Sequence, residues 1–130
     1  MKAPQLALFS ANETSLVEPA EDPEDVALAE HAPPDVYFGT STWTFPGWDG
    51  IVYRGRVSTQ TLLEGEAGLR AYAKHPLLRT VGIDRSYYNP LTEDELRAYA
   101  AVLPVGFPCV VKMWSEVVTL TPRNTAERNP

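Results

Sequence analysis

The chain has 130 residues, 44% hydrophobic and 22% charged, with a formal net charge of -6, which is room and balance for one globular domain at most. The charge is unevenly placed: residues 1–35 hold eight acidic residues and one lysine, for -7, and residues 36–130 hold nine acidic and ten basic residues, for +1. A near-neutral body excludes tight nonspecific nucleic-acid binding by charge alone, though not a local basic cleft. Cys109 is the only cysteine, so there is no disulfide framework and no thiolate metal cluster. No apolar run reaches membrane-spanning length. Leu6-Ala7-Leu8-Phe9 is too short for the core of a signal peptide, and a cytoplasmic location is the expectation.

Residues 1–35 read as a disordered acidic tail, because proline and like charge alternate through Val17–Asp25 without aromatics. Val26–His31 predicts no more than a helical turn, and Pro33-Pro34-Asp35 marks a boundary. From Val36 the pattern is strand, helix, strand, helix, strand. Val36 and Phe38 alternate with Tyr37, Gly39 and Ser41 as in a strand, which Pro46 and Gly47 end. The loop that follows carries Trp43 and Trp48, either as a ligand-facing rim or as caps on the core. Leu62, Leu63, Leu69 and Tyr72 predict a helix ending before Pro76, weakened or interrupted at Gly65 and Gly68. A second strand covers Arg79–Asp84. Thr92 and Glu95 then form a capping box, with Leu91 and Leu96 at the staple positions and Glu93, Asp94 and Glu95 on the positive helix end. This helix presents Leu96, Tyr99, Ala100 and Leu103 on one face and stops at Pro104. Phe107–Val118 predicts a third strand that carries Lys112 and Trp114, with Cys109 as a packed core thiol.

Strands alternating with helices predict a parallel α/β sheet, open or closed into a barrel. No Gly-x-Gly-x-x-Gly and no phosphate-loop lysine follows a strand, which counts against a dinucleotide or nucleoside-triphosphate domain. No His/Asp/Glu cluster has metal-ligand spacing: His31 lies in the tail, and His75 reads as a helix-end residue. No metal is therefore expected from these residues, and they leave the identity of any cofactor open.

Individual residues narrow the fold further. Gly39-Thr40-Ser41-Thr42-Trp43 with Pro46-Gly47-Trp48 and Tyr53 resembles the opening signature of the YecE-like family (domain of unknown function 72). Leu69-Arg70-Ala71-Tyr72-Ala73 resembles its first helix, and Val81–Tyr88 its second strand with the aromatic pair that follows. Leu103-Pro104, Gly106-Phe107 and Val111-Lys112 are similar to its third-strand entry. The resemblance spans most of residues 36–120. It implies a TIM-type (β/α)8 barrel, of which residues 36–130 are the first three strands and two helices, with no established activity. Many members carry a glutamate where this chain has Gly82, a departure that Asp84 compensates or that marks a different chemistry.

In such a barrel Gly82, Asp84 and Ser86 share one face of the second strand, and Val110, Lys112 and Trp114 one face of the third. Asp84 and Lys112 then pair at the barrel mouth, where TIM-barrel active sites form. They are the candidate catalytic residues, with Ser41, Trp43, Tyr87, Tyr88 and Trp114 as substrate-binding candidates, unless the pair simply closes the core. A complete barrel needs eight strands and about 250 residues, so the expectation is a fragment of a longer product, or else an inactive truncated one.

Separately, Gln5-Leu6-Ala7-Leu8-Phe9 resembles the bacterial sliding-clamp-binding pentapeptide, with Leu8 and Phe9 as apolar anchors and the Gln5 amide fixing register. Two function classes follow. One is a TIM-barrel enzyme on a polar or anionic small molecule, sugar or nucleotide. The other is a replication- or repair-associated protein recruited through Gln5, Leu6, Leu8 and Phe9.

Overall fold

The computed structural model describes residues 17–120. Its first element is a helix, α1, Pro23–His31, where the sequence predicted at most a turn over Val26–His31. The cause is local. Asp22 accepts a 2.8 Å bond from the Glu24 amide, Pro23 supplies a helical φ at the first position, and Glu24 and Asp25 face the positive end. The helix buries no residue. Ahead of it, Ala20 donates to the Val52 carbonyl and Arg54 to the Glu18 carbonyl, which pins this arm to the body.

Three strands follow, β1 Phe38–Thr40, β2 Leu78–Ile83 and β3 Cys109–Val111, all parallel and in the order β1-β2-β3. Strand β1 is shorter than predicted: it starts at Phe38, opposite Leu78, and leaves Val36 and Tyr37 outside the ladder. The pairing steps from Phe38–Leu78 to Gly39–Thr80, so Arg79 is an extra residue and the ladder is broken there. Tyr72 repairs it. Its hydroxyl accepts from the Thr40 amide at 2.8 Å and donates to the Thr80 carbonyl at 3.0 Å.

Between β1 and β2 the chain forms α2, Thr59–Leu63, and α3, Ala67–Tyr72, separated by a tight turn at Glu64–Glu66. Gly65 (φ 55°) makes the interruption the sequence indicated, and Glu66 adopts the same left-handed conformation (φ 59°). Helix α4, Glu93–Val102, has the predicted capping box: Glu95 Oε2 accepts from the Thr92 amide at 2.8 Å, and Thr92 Oγ1 from the Glu95 amide at 3.2 Å. Leu62, Leu69, Tyr72, Val81 and Ile83 form the buried centre of the sheet–helix interface, joined by Trp43, Tyr53 and Tyr99.

The predicted third strand, Phe107–Val118, is corrected. Only Cys109–Val111 pair with β2, and the chain turns into a short helix, α5, Ser115–Val118. Lys112 and Trp114 therefore lie beyond the strand. Cys109 is exposed rather than packed, because β3 is an edge strand whose three side chains all reach solvent. Strand β2 likewise ends at Ile83, and Asp84–Tyr87 form a 3-10 turn, so Asp84 and Ser86 do not continue its alternation. On α4 only Tyr99 is buried; Leu96 and Ala100 of the predicted apolar face are exposed, since no element among the described residues covers them.

Candidate functional site

Chemistry-bearing side chains gather where β1, β2 and β3 end. Past β1, the Thr44 amide and hydroxyl both meet Thr42 Oγ1, at 3.2 and 3.0 Å, and fold Ser41–Thr44 into a tight hydroxyl-lined loop. Ser41 is exposed and Trp43 is buried. The Trp43 ring meets Tyr99 of α4 edge-on, 5.1 Å between centroids, and its carbonyl accepts from the Tyr53 hydroxyl. Its Nε1–H has no partner among the described residues. Tyr53 is fully buried, and that burial drives its phenol pKa far up, so it serves as a neutral donor that fixes the loop.

Past β2, the turn at Asp84–Tyr87 is locked from beneath. The buried Ser86 hydroxyl lies 2.6 Å from the Ile83 carbonyl and 2.7 Å from the Lys112 carbonyl, and donates its single proton between them. This ties the end of β2 to the chain leaving β3. Lys112 Nζ consequently reaches Asp84 Oδ2 at 2.7 Å. That hydrogen bond holds the Lys112 pKa above the ordinary lysine value, against a smaller opposing effect of desolvation. Lys112 is thus an ammonium donor and not a free amine nucleophile at neutral pH. The rings of Tyr87 and Tyr88 pack edge-on at 5.3 Å.

Ser41, Trp43, Asp84 and Tyr88 line one open cavity of about 320 Å3, together with Thr42, Gly82 and Arg85. Lys112 joins this group through Asp84, and Tyr87 through Tyr88. Trp114, the N-cap residue just before α5, does not line the cavity. Arg85 was not among the sequence candidates. It pairs with Glu95 and its guanidinium carbon lies 5.8 Å from the Tyr99 ring centroid. The clue to it was the capping box itself, which fixes Glu95 as a partner. Near Arg85, Glu66 has its pKa raised by burial, in part offset by Arg85, and its Oε2 has no partner among the described residues.

Gly82 has a physical explanation. A Cβ there lies 2.9 Å from Ser41 Cα and 3.3 Å from the Thr40 carbonyl oxygen, so the end of β1 occupies the space a side chain needs. A glutamate at this position requires that β1 move away.

Among the described residues no group of three or more His, Cys, Asp and Glu is placed to hold a metal, and no helix is long and apolar enough to cross a membrane. His75 lies three residues past the end of α3 rather than in its last turn, and is buried, with Nε2 3.6 Å from Asp25 Oδ2 of α1. Gln5, Leu6, Leu8 and Phe9 lie outside the described residues.

A family model described as protein of unknown function DUF72 matches residues 37–129. No curated protein and no solved structure matches the chain.

Proposed function

The chain belongs to the DUF72 family, and from that premise we propose that its βαβαβ unit opens a TIM-type barrel whose mouth binds a polar or anionic small molecule, such as a sugar or nucleotide, for enzymatic turnover. The observation that carries this reading is the 2.7 Å bond between Asp84 and Lys112. It joins the C-terminal ends of two adjacent parallel strands, the end at which barrel enzymes build their sites.

Packing supports the barrel. Phe38, Val110 and Val111 are 45%, 63% and 51% exposed, and these are strand residues of the two sheet edges. A further cavity of about 370 Å3 opens between α4 and β3, lined by Leu96, Phe107 and Val111. Unpaired edges and uncovered apolar faces of this kind are removed when a sheet closes on itself. In the site, Asp84 offers an acceptor and Lys112 a fixed positive donor. The Ser41–Thr44 loop adds hydroxyls, and the half-exposed Tyr88 adds an aromatic face.

The test is a metabolite panel screened by thermal shift on the product of the complete gene, repeated on Asp84→Asn and Lys112→Met. A ligand that protects the native protein and neither variant is expected. Equal protection of all three removes the pair from the site.

A second reading rests on the anchored arm. Pairing of Glu18–Ala20 with Val52–Arg54 gives the segment ahead of it a fixed point of departure, which suits a tethered docking peptide. A peptide of residues 1–16 is expected to bind a bacterial sliding clamp. The same peptide with Leu8→Ala and Phe9→Ala is expected not to, and equal binding by both sinks this reading.

A further inference from the structure

A third cavity, of about 460 Å3, lies between the acidic arm and α3 and shares no lining residue with the strand-end cavity. The body contributes three cations to its wall, Arg54, Arg70 and Lys74, against one acid, Glu64, which leaves +2. The arm contributes Glu18 and Glu21, which return the cavity to zero. Both arm carboxylates are spent on Arg54: Glu18 Oε2 lies 3.1 Å from Nη1, and Glu21 Oε2 lies 3.8 Å from Nη2. The side chains of Arg70, in the last turn of α3, and Lys74, four residues on, make no hydrogen bond or ion pair among the described residues. Lys74 lies just past the α3 C-cap Ala73, and both side chains line the same cavity wall, where one anion can engage both.

We propose that this cavity is a site for a small phosphate-bearing anion and that the acidic arm is its built-in competitor. A guanidinium fork donates to carboxylate and phosphate oxygens in the same geometry, and the arm already shows carboxylates seated on Arg54. The Arg54 side chain is 61% exposed and those of Glu18 and Glu21 are 53% and 69%. Exposed pairs of this kind are weak, so a multiply charged anion that also engages Arg70 and Lys74 displaces them. The arm carboxylates yield readily because these exposed pairs are all that hold their side chains, while buried Ala20 and core-packed Val17 keep the arm backbone in place.

The experiment is a titration of the 15N-labelled full chain with pyrophosphate, followed by amide shifts. Saturable shifts at Arg54, Arg70, Lys74 and Ala20 are expected. The double variant Glu18→Gln, Glu21→Gln removes the competitor and tightens binding on the order of fivefold. The double variant Arg70→Ala, Lys74→Ala weakens it by at least as much, and added salt weakens it in the native chain. All four substitutions are at the surface, and an otherwise unchanged spectrum shows that the fold is kept. The proposal is overturned if these amides stay still at millimolar pyrophosphate, if shifts appear only around Asp84 and Lys112, or if neither double variant changes the affinity.

Discussion

Replacing Tyr72 by Phe isolates the one side-chain hydroxyl on which the β1–β2 pairing depends. The substitution keeps the ring and its burial, since Tyr72 is fully enclosed, and removes one oxygen. That oxygen takes the Thr40 amide at 2.8 Å, gives its proton to the Thr80 carbonyl at 3.0 Å and lies 2.9 Å from Thr40 Oγ1. Thr40 Oγ1 keeps its own bond to the Thr42 carbonyl at 2.7 Å and is no substitute. The bulge leaves no strand partner for the stranded groups, so an amide and a carbonyl lose their partners at a half-buried site. Each such loss costs about 1–3 kcal/mol where water cannot enter, less where it can. A total near 2 kcal/mol is expected, with a fall in melting temperature of roughly 10 °C for a domain of this size. Urea unfolding followed by far-UV circular dichroism measures it, with Tyr88→Phe as the exposed control. A loss below about 0.5 kcal/mol refutes the reasoning, because it means water or a shifted strand satisfies both groups.

Three further outcomes follow from the same geometry. Glu66→Gly removes a left-handed backbone conformation that is unfavourable for glutamate by about 1–2 kcal/mol, so the melting temperature rises. Because burial raises the Glu66 pKa, the native state loses stability as pH climbs past the ordinary glutamate range, and the gain from this variant is larger at pH 7 than at pH 4. Gly82→Ala drives a methyl to 2.9 Å from Ser41 Cα and costs about 1–3 kcal/mol; an unchanged midpoint in urea contradicts that close approach. The raised Lys112 pKa means that its bond to Asp84 is complete below the ordinary lysine value and is lost as pH rises through the raised one. An NMR titration of Lys112 whose midpoint does not fall in Asp84→Asn contradicts the bond.

Much of the fold is legible in the sequence because its signals are local. Thr92 and Glu95 carry the start of α4 in their own chemistry, and the Gly65 interruption needs only a left-handed turn. The Asp84–Lys112 pair was also legible, though by a route the structure corrects. Both residues stand just beyond their strands, and what aims them at each other is the Ser86 hydroxyl, a contact between the ends of β2 and β3 that periodicity cannot show. Cys109 and Trp114 were misplaced for one reason: an apolar run reads as a buried strand, and exposure of β3 depends on what packs beside it rather than on its own residues. The helix at Pro23–His31 was hidden by composition, since its acids and prolines read as disorder while Asp22 and Pro23 were a helix start. Arg85 was missed because its role depends on Glu95 and Tyr99 of α4 and on Glu66 of the turn before α3, which meet only in the folded chain.

The proposed reading makes this unit the opening of a closed barrel with its site at the strand ends. The most direct measurement is a crystal structure of the product of the complete gene. A closed barrel has one new parallel strand hydrogen-bonded to Cys109–Val111, another beside Phe38–Thr40, and the Asp84–Lys112 pair facing a shared, enclosed mouth, and this is the expected result. A sheet whose β1 and β3 edges remain open to solvent, or are covered by helices or antiparallel strands, contradicts it.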